Sequence, residues 1–428
     1  MVLPEESEFM DTILWGCIAD DFMNAADAAS FFEMGGLKTV LYDGIPKAET
    51  VPDSDIQAVV IALDLETAGK DKAVEEALSA FDFLSRINVK QYYYKFSLAF
   101  GSVFNVNVGP VSDALMDAVG ETKTIICPAN RFEDSAVERG KLYLDGVLSG
   151  INQPYSSLRN GEIAEIINLQ SNLPCINVDL EEMLEDDDEV WNRLNAFEQQ
   201  EGRYYIIPDC VDENDADRIV ELFGSLRFLA GSSSIIKALV KKSPKKKIRI
   251  KNYSTSNGKA VIISGSCSDK TVAQCEKYIS DGGKAFKIDA IRLLYEKVTI
   301  GDLWNFVSGN EDDTVLIYSS ESADNVKYNQ RHGAEEISRS LESSMSELVD
   351  ILINNGYTRI IITGSKTVQS IIKEKLGYHS FFIGKSVSPG VPVITPVEKQ
   401  DIRFVLKSSD YGDYDFFSKA IKVTEKKQ

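Results

Sequence analysis

Short apolar runs alternate with helix-like segments along this chain of 428 residues, and this alternation restricts the fold more than any other feature. The first unit is the clearest. Residues 13–19 are apolar and predict a buried strand, which the carboxylates of Asp20 and Asp21 follow directly. Small and apolar residues then predict a helix that ends at Gly35, and residues 38–42 predict the next strand. The chain therefore opens as a β-α-β unit, in which the strands are parallel.

The pair of aspartates has two interpretations. Ligands of open α/β sheets usually bind at the carboxyl ends of the strands, which makes Asp20 and Asp21 candidate site residues. Alternatively, one of them caps the helix and favours its positive end. A cap accounts for one aspartate and leaves the other unexplained, so the sequence keeps both interpretations open.

The composition restricts the class of partner. With 43% hydrophobic and 26% charged residues the chain is typical of a soluble globular protein. A formal net charge of −20 argues against nucleic acid and anionic membranes, which need a basic surface, but not against a small anionic substrate. No secretory signal is recognised at residues 1–11, and no apolar run approaches the roughly 20 residues of a membrane helix. We expect a cytoplasmic protein.

Metal and thiol chemistry have little support in the sequence. None of the six cysteines forms a CxxC pair, so free thiols in a reducing compartment are expected. Two histidines, His332 and His379, are few for a zinc site or a Ser-His-Asp triad. The acidic run at 181–189 predicts a solvated helix face or loop, with metal binding as the weaker alternative.

Two domains are predicted, 1–240 and 259–428. The first continues the alternation of strands and helices and contains a long polar passage at 130–160, which is interpreted as binding loops. The linker predicted at 241–258 begins with a stretch of eleven residues of which seven are basic, and continues with polar turn residues. A nucleic-acid patch is the alternative interpretation, but no aromatic residues interrupt the basic run.

Four predicted strands of the second half end in small residues. The ends lie at Ser264, Ser319, Thr363 and Ser408. Small residues let the backbone approach a phosphate, and parallel strands bring their ends to one edge of a sheet, so this pattern predicts a nucleotide or phosphate site. The alternative is that Gly and Ser are common in any such loop. The stretch 364–367 is not a Walker A loop, because its lysine stands one place late.

Five motifs, taken in order, resemble the four-carbon acid sugar kinase family, and the resemblance covers most of the chain. The motifs are IADDFMNAADAA at 18–29, SGSCSDKTVAQCE at 264–276, ITGSKT at 362–367, SPGVP at 388–392 and LKSSDYG at 406–412. The resemblance implies two α/β domains with mainly parallel sheets and a ligand site in the cleft between them.

The resemblance also implies a reaction. The N-terminal domain would bind a small sugar acid such as threonate, erythronate or 3-oxo-tetronate, and the C-terminal domain would bind ATP. The γ-phosphoryl group would move to a substrate hydroxyl, with Mg²⁺ bridging phosphate oxygens. Assembly into a homo-oligomer is a further expectation. The carried-over residues are Asp20 and Asp21 for catalysis and substrate; Asp27, Lys95 and Ser102 for substrate; and Ser266, Gly364, Ser365, Lys366, Thr367 and Ser409 for the nucleotide.

This chain departs from the family's pattern mainly in the substrate half. Met23 and Asn24 replace a Thr-Gly pair, Glu66 stands where an arginine is usual, and the stretch 98–103 lacks hydroxyl and acidic residues of the family's segment. In the nucleotide turn, Lys366 replaces an acid. Losing an arginine removes a clamp for a carboxylate.

Two hypotheses follow from these departures. The chain is a kinase with a changed substrate, or it is a catalytically silent relative that binds a nucleotide or metabolite as a sensor. The lost polar residues favour the silent relative. The retained residues Asp20, Asp21, Asp27, Lys95 and Ser266 favour the kinase.

Overall fold

A computed structural model describes residues 13–96, 107–144, 146–148, 161–244, 252–408 and 410–426. The chain divides into two compact units, Met1–Arg249 and Ile250–Gln428. Each unit is a sheet of mainly parallel strands with helices, so the predicted α/β class with two domains is confirmed. The ligand site predicted between the domains stays a prediction. The finer domain bounds from the sequence stay a prediction. Two candidate residues, Ser102 and Ser409, lie outside the described residues.

The first unit contains a parallel sheet of eight strands, in the order β2-β3-β1-β4-β11-β5-β10-β9. The strands of this unit are Trp15–Ala19 (β1), Thr39–Asp43 (β2), Ala58–Ala62 (β3), Gln91–Lys95 (β4), Lys123–Cys127 (β5), Ser135–Glu138 (β6), Lys141–Leu144 (β7), Val147–Leu148 (β8), Cys175–Val178 (β9), Tyr204–Pro208 (β10) and Phe228–Gly231 (β11). The helices are Phe22–Met34 (α1), Lys70–Arg86 (α2), Val108–Val119 (α3), Ile163–Asn168 (α4), Leu180–Met183 (α5), Asp187–Glu201 (α6), Glu213–Phe223 (α7) and Ser233–Lys242 (α8).

The centre of this sheet is apolar because it is covered on both faces. Every residue of β1 and β3 is buried, as expected for parallel strands with helices on either side. The register pairs Ala19 with both Ala62 and Lys95, so β1, β3 and β4 end at the same level. The residues that follow these strands are thereby brought to one edge.

The second unit also has a sheet, ordered β13-β14-β12-β15-β18-β17-β16. Its strands are Lys259–Ser264 (β12), Lys284–Lys287 (β13), Val315–Tyr318 (β14), Tyr357–Thr363 (β15), Ser380–Ser388 (β16), Val391–Pro396 (β17) and Arg403–Lys407 (β18). Its α-helices are Asp269–Ser280 (α9), Ala290–Leu294 (α10), Ile300–Ser308 (α11), Ala323–Gln330 (α12), Ala334–Asn354 (α13), Ser365–Gln369 (α14) and Phe416–Thr424 (α15). The neighbouring strands β13, β14, β12, β15 and β18 are parallel to one another. Strand β17 is antiparallel to both of its neighbours, β18 and β16.

Several elements differ from the sequence prediction. The polar passage at 130–160, interpreted as loops, contains the small antiparallel sheet β6-β7-β8. Five further strands, β9, β11, β13, β16 and β17, were not predicted. The strands β9, β11 and β13 have only four residues each, β16 is interrupted by Gly384 and Lys385, and β17 contains two prolines, so the strand pattern is weak in all five. The acidic run contributes to α5 and α6, with Asp186 as the cap of α6.

All six cysteines are free, as predicted. Among the helices of the described ranges, none has both the length and the apolar character needed to cross a bilayer.

The space around Gly231 is filled by neighbouring strands. A Cβ atom on Gly231, at the end of β11, would lie 2.6 Å from the carbonyl oxygen of Cys127 and 3.0 Å from Oη of Tyr93. Because a paired strand cannot move away cheaply, we expect Gly231→Ala to lower the free energy of unfolding by about 2–3 kcal/mol in urea titrations. Gly69→Ala is the control, since a Cβ there has no neighbour within 4 Å. It should cost less than about 1 kcal/mol, as an N-cap change. Equal losses would contradict the packing argument.

Candidate functional site

The first candidate site lies where β1, β3 and β4 end. Asp20 follows β1 directly, and its backbone N–H donates to the carbonyl of Lys95 at 3.1 Å. The N–H of Leu65, after β3, donates to the carbonyl of Asp20 at 2.9 Å. The three strand ends are thus joined through Asp20, at the sheet edge where the sequence predicted a ligand.

The two aspartates behave differently. Asp21 is the N-cap of α1, and its Oδ1 accepts from the backbone N–H of Asn24 at 2.7 Å. The capping interpretation is therefore confirmed for Asp21. Asp20 is only 3% exposed and has no part in the cap. Capping therefore does not account for this buried carboxylate, which stays a candidate site residue.

Asn24 connects these carboxylates to a buried cation. Its Nδ2 donates to Asp20 Oδ1 at 2.8 Å and to Asp21 Oδ2 at 3.1 Å, while its Oδ1 accepts from Lys95 Nζ at 2.7 Å. An ammonium only donates, so the amide oxygen must face Lys95 and the amide NH₂ must face the carboxylates. In the sequence Asn24 stands out only as a departure from the family, and this role was not predicted.

Asp27 and Lys95 lie in the interior, 4% and 1% exposed. Lys95 Nζ is 3.5 Å from Asp27 Oδ2, and the hydroxyl of Ser233, at the start of α8, donates to the same oxygen. The other oxygen of Asp27 has no hydrogen bond from the described residues. Both side chains are linked to Asp20 through Asn24. Direct contact of Asp27 or Lys95 with substrate stays a prediction.

Burial sets the protonation of this network. It raises the pKa of Asp27 to about 6, against the opposing charge of Lys95. It also raises the pKa of Asp21, against the hydrogen bonds from Asn24. Burial alone would lower the pKa of Lys95, but the surrounding carboxylates, Asp27 first, outweigh it and raise that pKa. Lys95 is therefore held as an ammonium, and Asp21 is a stronger proton acceptor than an ordinary aspartate.

The second candidate site lies in the other unit. The strands β14, β12, β15 and β18 are neighbours and parallel, which confirms that their small-residue ends share one edge. The hydroxyl of Ser264 forms hydrogen bonds of 2.8 Å with the hydroxyls of Ser320 and Thr363. Three of the four strand ends are therefore bonded through buried hydroxyls.

Two glycines bring the loops after β12 and β15 into backbone contact. A Cβ on Gly265 would overlap Oγ1 of Thr367, and a Cβ on Gly364 would lie 3.0 Å from the backbone nitrogen of Ser266. Gly364 also has a φ of +101°, which disfavours any other residue. Of the predicted nucleotide residues, Ser266, Gly364, Ser365, Lys366 and Thr367 are thus close in space, with Ser365 and Lys366 exposed.

Lys407 was missing from the predicted site. It ends β18, is fully buried, and its Nζ donates to Oγ1 of Thr271 and to the carbonyl of Ser408, both at 3.0 Å. Burial lowers the pKa of Lys407 to about 8. Thr271 lies in the first turn of α9, where Ser268 is the N-cap. The available signal was a lysine that directly follows the apolar run of β18.

Within the described ranges, no group of three or more His, Cys, Asp or Glu is placed to hold a metal ion. Mg²⁺ is commonly held by one or two carboxylates together with substrate phosphates. A Mg²⁺ ion bound to a nucleotide would need no more than that from the protein.

Comparison with known proteins matches both units. The family described as the sugar-binding N-terminal domain matches residues 15–239. The family described as the nucleotide-binding C-terminal domain matches residues 261–417. The two matched ranges follow the order of the two units along the chain.

Similar proteins cover nearly the whole length. A 3-oxo-tetronate kinase of Pectobacterium atrosepticum is 32% identical over 423 residues, covering 95% of this chain and 98% of the relative. The one from Actinobacillus succinogenes is 30% identical over 415 residues, covering 95% and 99%. The crystal structure of a Haemophilus influenzae protein is 29% identical, with a TM-score of 0.77, and covers 95% of this chain and 99% of that protein.

The buried network predicts a pH effect on stability. Burial raises the pKa of Asp27 from its ordinary value of 3.8 to about 6. Between these values the folded state binds more protons than the unfolded state, so the free energy of unfolding falls as pH rises. An asparagine side chain at this position cannot titrate. From pH 4 to pH 7 we expect wild type to lose about 1–3 kcal/mol relative to Asp27→Asn in urea titrations. Parallel pH profiles would show that Asp27 titrates normally.

Proposed function

The chain belongs to the four-carbon acid sugar kinase family, and from that premise we propose that it is an ATP-dependent kinase. Its substrate would be a small sugar acid such as threonate, erythronate or 3-oxo-tetronate, or a related small metabolite. The observation that carries the proposal is the network of Asp20, Asp21, Asn24 and Lys95 at the strand ends of the unit that matches the sugar-binding family. The names of the full-length relatives support it.

The two carboxylates receive distinct roles. Asp20 accepts hydrogen bonds from substrate hydroxyls, because the amide of Asn24 keeps it oriented. Asp21 accepts the proton of the attacking hydroxyl, because a carboxylate whose pKa is raised transfers protons more readily near neutral pH. Lys95 and Asp27 hold this arrangement from the interior, and the predicted contact of Ser102 with substrate remains part of the proposal.

The second unit holds the nucleotide. Ser266 and the turn formed by Gly364, Ser365, Lys366 and Thr367 line the phosphates, together with Ser409. The backbone contact between Gly364 and Ser266 leaves room for no side chain, and phosphate-binding loops use such close backbone approach. Lys407 would stabilise this edge through the hydrogen bonds that its Nζ donates to Thr271 and to the carbonyl of Ser408.

The transfer itself is simple in its atom balance. The substrate hydroxyl oxygen forms a bond to the γ-phosphorus, the bond from that phosphorus to the β,γ-bridging oxygen breaks, ADP leaves, and the hydroxyl proton passes to Asp21. Mg²⁺ bound to ATP would neutralise phosphate charge. The protein's own contribution is to orient the hydroxyl and accept its proton.

The silent-sensor alternative receives no support from the comparisons, since the relatives at this length are named as kinases. It predicts nucleotide binding without turnover, which the next experiment measures. A cytoplasmic location and assembly into homo-oligomers stay predictions.

The central test of the proposal is Asp21→Asn. Asparagine caps helices as well as aspartate does, so the fold and α1 should be retained. It cannot accept the substrate proton, so we expect turnover of ATP with a panel of four-carbon sugar acids to fall about 10²- to 10⁴-fold. ATP affinity, measured by calorimetry, should stay within about threefold of wild type. Equal turnover in the two proteins, or none above background in wild type, would count against the kinase and leave the sensor.

A pair of glycine variants tests the nucleotide turn. Gly364 and Gly356 both have positive φ, +101° and +86°, so alanine strains the backbone at either position. Only at Gly364 would the new Cβ meet another loop, at Ser266, whereas Gly356 has no neighbour within 4 Å. We expect Gly364→Ala to weaken ATP binding at least about tenfold in calorimetry. Gly356→Ala should lose stability but bind ATP normally. Equal affinities in the two variants would move the nucleotide site elsewhere.

A further inference from the structure

The segment 63–68 after β3, here named the β3 strap, is held against the end of β1. The backbone N–H of Leu63 donates to the carbonyl of Ala19, and that of Leu65 donates to the carbonyl of Asp20, both at 2.9 Å. The far part is held by the buried side chain of Asn107. The strap therefore has a defined position beside Asp20.

Asn107 acts at two points. Its Nδ2 donates to the carbonyl of Leu65 at 2.8 Å and to that of Ala68 at 2.9 Å. Glu66 lies between these two fixed carbonyls. Its backbone position is therefore set by hydrogen bonds on both sides, and the reach of its carboxylate is limited.

Glu66 carries a charge without a partner in the described parts of the chain. It is half-buried, and it forms no hydrogen bond or ion pair there. Burial, and then the charge of Asp21, raise the pKa of Glu66. Burial raises the pKa of Tyr94, and the charges of Asp20 and Glu66 raise it further. Three carboxylates thus act on one small region at the end of β1.

Lys95, whose positive charge acts on Asp21, has other partners in the described structure. Lys95 is 1% exposed, donates to Asn24 and pairs with Asp27. An anionic ligand group beside Glu66 would meet carboxylates of its own sign. Hydroxyl groups, by contrast, donate hydrogen bonds that carboxylates accept.

We propose that Glu66 is a specificity-determining residue, which excludes a substrate carboxylate from the end of the site beside Asp21 and selects uncharged hydroxyl groups there. The preferred ligands are small polyhydroxy compounds that present a diol to Glu66 and Asp21, with any carboxylate at their other end. This inference rests on the proposed function of the first unit as the sugar-binding unit of a kinase. It adds the charge class of the substrate group that faces the β3 strap.

The experiment compares two ligands of equal carbon number, threonate and the uncharged polyol threitol. Dissociation constants are measured by calorimetry on the full chain for wild type, Glu66→Gln and Glu66→Arg. Glu75→Arg, on the exposed part of α2, controls for the change in net charge. Unfolding curves confirm that each variant is folded, and the glutamine variant, nearly the same shape, covers the case in which arginine disturbs the strap.

We expect Glu66→Arg to tighten threonate binding at least tenfold and to weaken threitol binding, because arginine has no acceptor for the hydrogen bonds of the diol. Glu66→Gln should lie between, and Glu75→Arg should match wild type. A threonate-to-threitol ratio that stays within twofold in both Glu66 variants would overturn the proposal, as would failure of every protein to bind either ligand. ATP turnover, assayed separately, decides the kinase proposal. Absent turnover with a shifted binding ratio would reject the kinase and keep the role of Glu66.

Discussion

The buried ammonium of Lys95 is the constraint on which the rest of the first site depends. A charge taken out of water must be paired and hydrogen-bonded, or it destabilises the fold. Here Asp27 supplies the opposite charge and Asn24 supplies an acceptor. Ser233 adds a hydrogen bond to Asp27. The partners of Lys95 therefore connect β4 to α1 and, through Ser233, to α8. The same contacts orient the amide of Asn24, which donates to Asp20 and Asp21.

Lys407 in the second unit is also a buried lysine, but its pKa is lowered, whereas that of Lys95 is raised. Its ammonium has hydroxyl and carbonyl acceptors at 3.0 Å, and burial outweighs the charge of the Asp410 carboxylate, so the pKa falls to about 8. At Lys95 close carboxylates outweigh burial, and the pKa rises. At both lysines burial alone would lower the pKa, and the charges of the surrounding carboxylates decide whether that pKa stays lowered or rises.

The sequence by itself determined the fold class, the β-α-β opening and the shared edge of the strand ends in the second unit. These features depend on local patterns, because apolar runs of strand length and helical periodicity need no knowledge of distant residues. It also identified Asp20 and Asp21 as the first place to look, and the order of five motifs identified the family. What it left undecided about Asp21 was a local question as well, and the cap geometry answered it.

Only the tertiary structure decided how the side chains are connected. Asn24 and Lys95 are 71 positions apart and Asp27 and Ser233 are 206 positions apart, so no local pattern relates them. Strands β13, β16 and β17 escaped prediction because pairing with neighbours, rather than their own periodicity, makes them strands. The position of Glu66 beside Asp21 likewise arises from hydrogen bonds made by Asp20 and Asn107. Local sequence patterns therefore determine the helices and strands, whereas long-range packing determines which charged side chains come into contact.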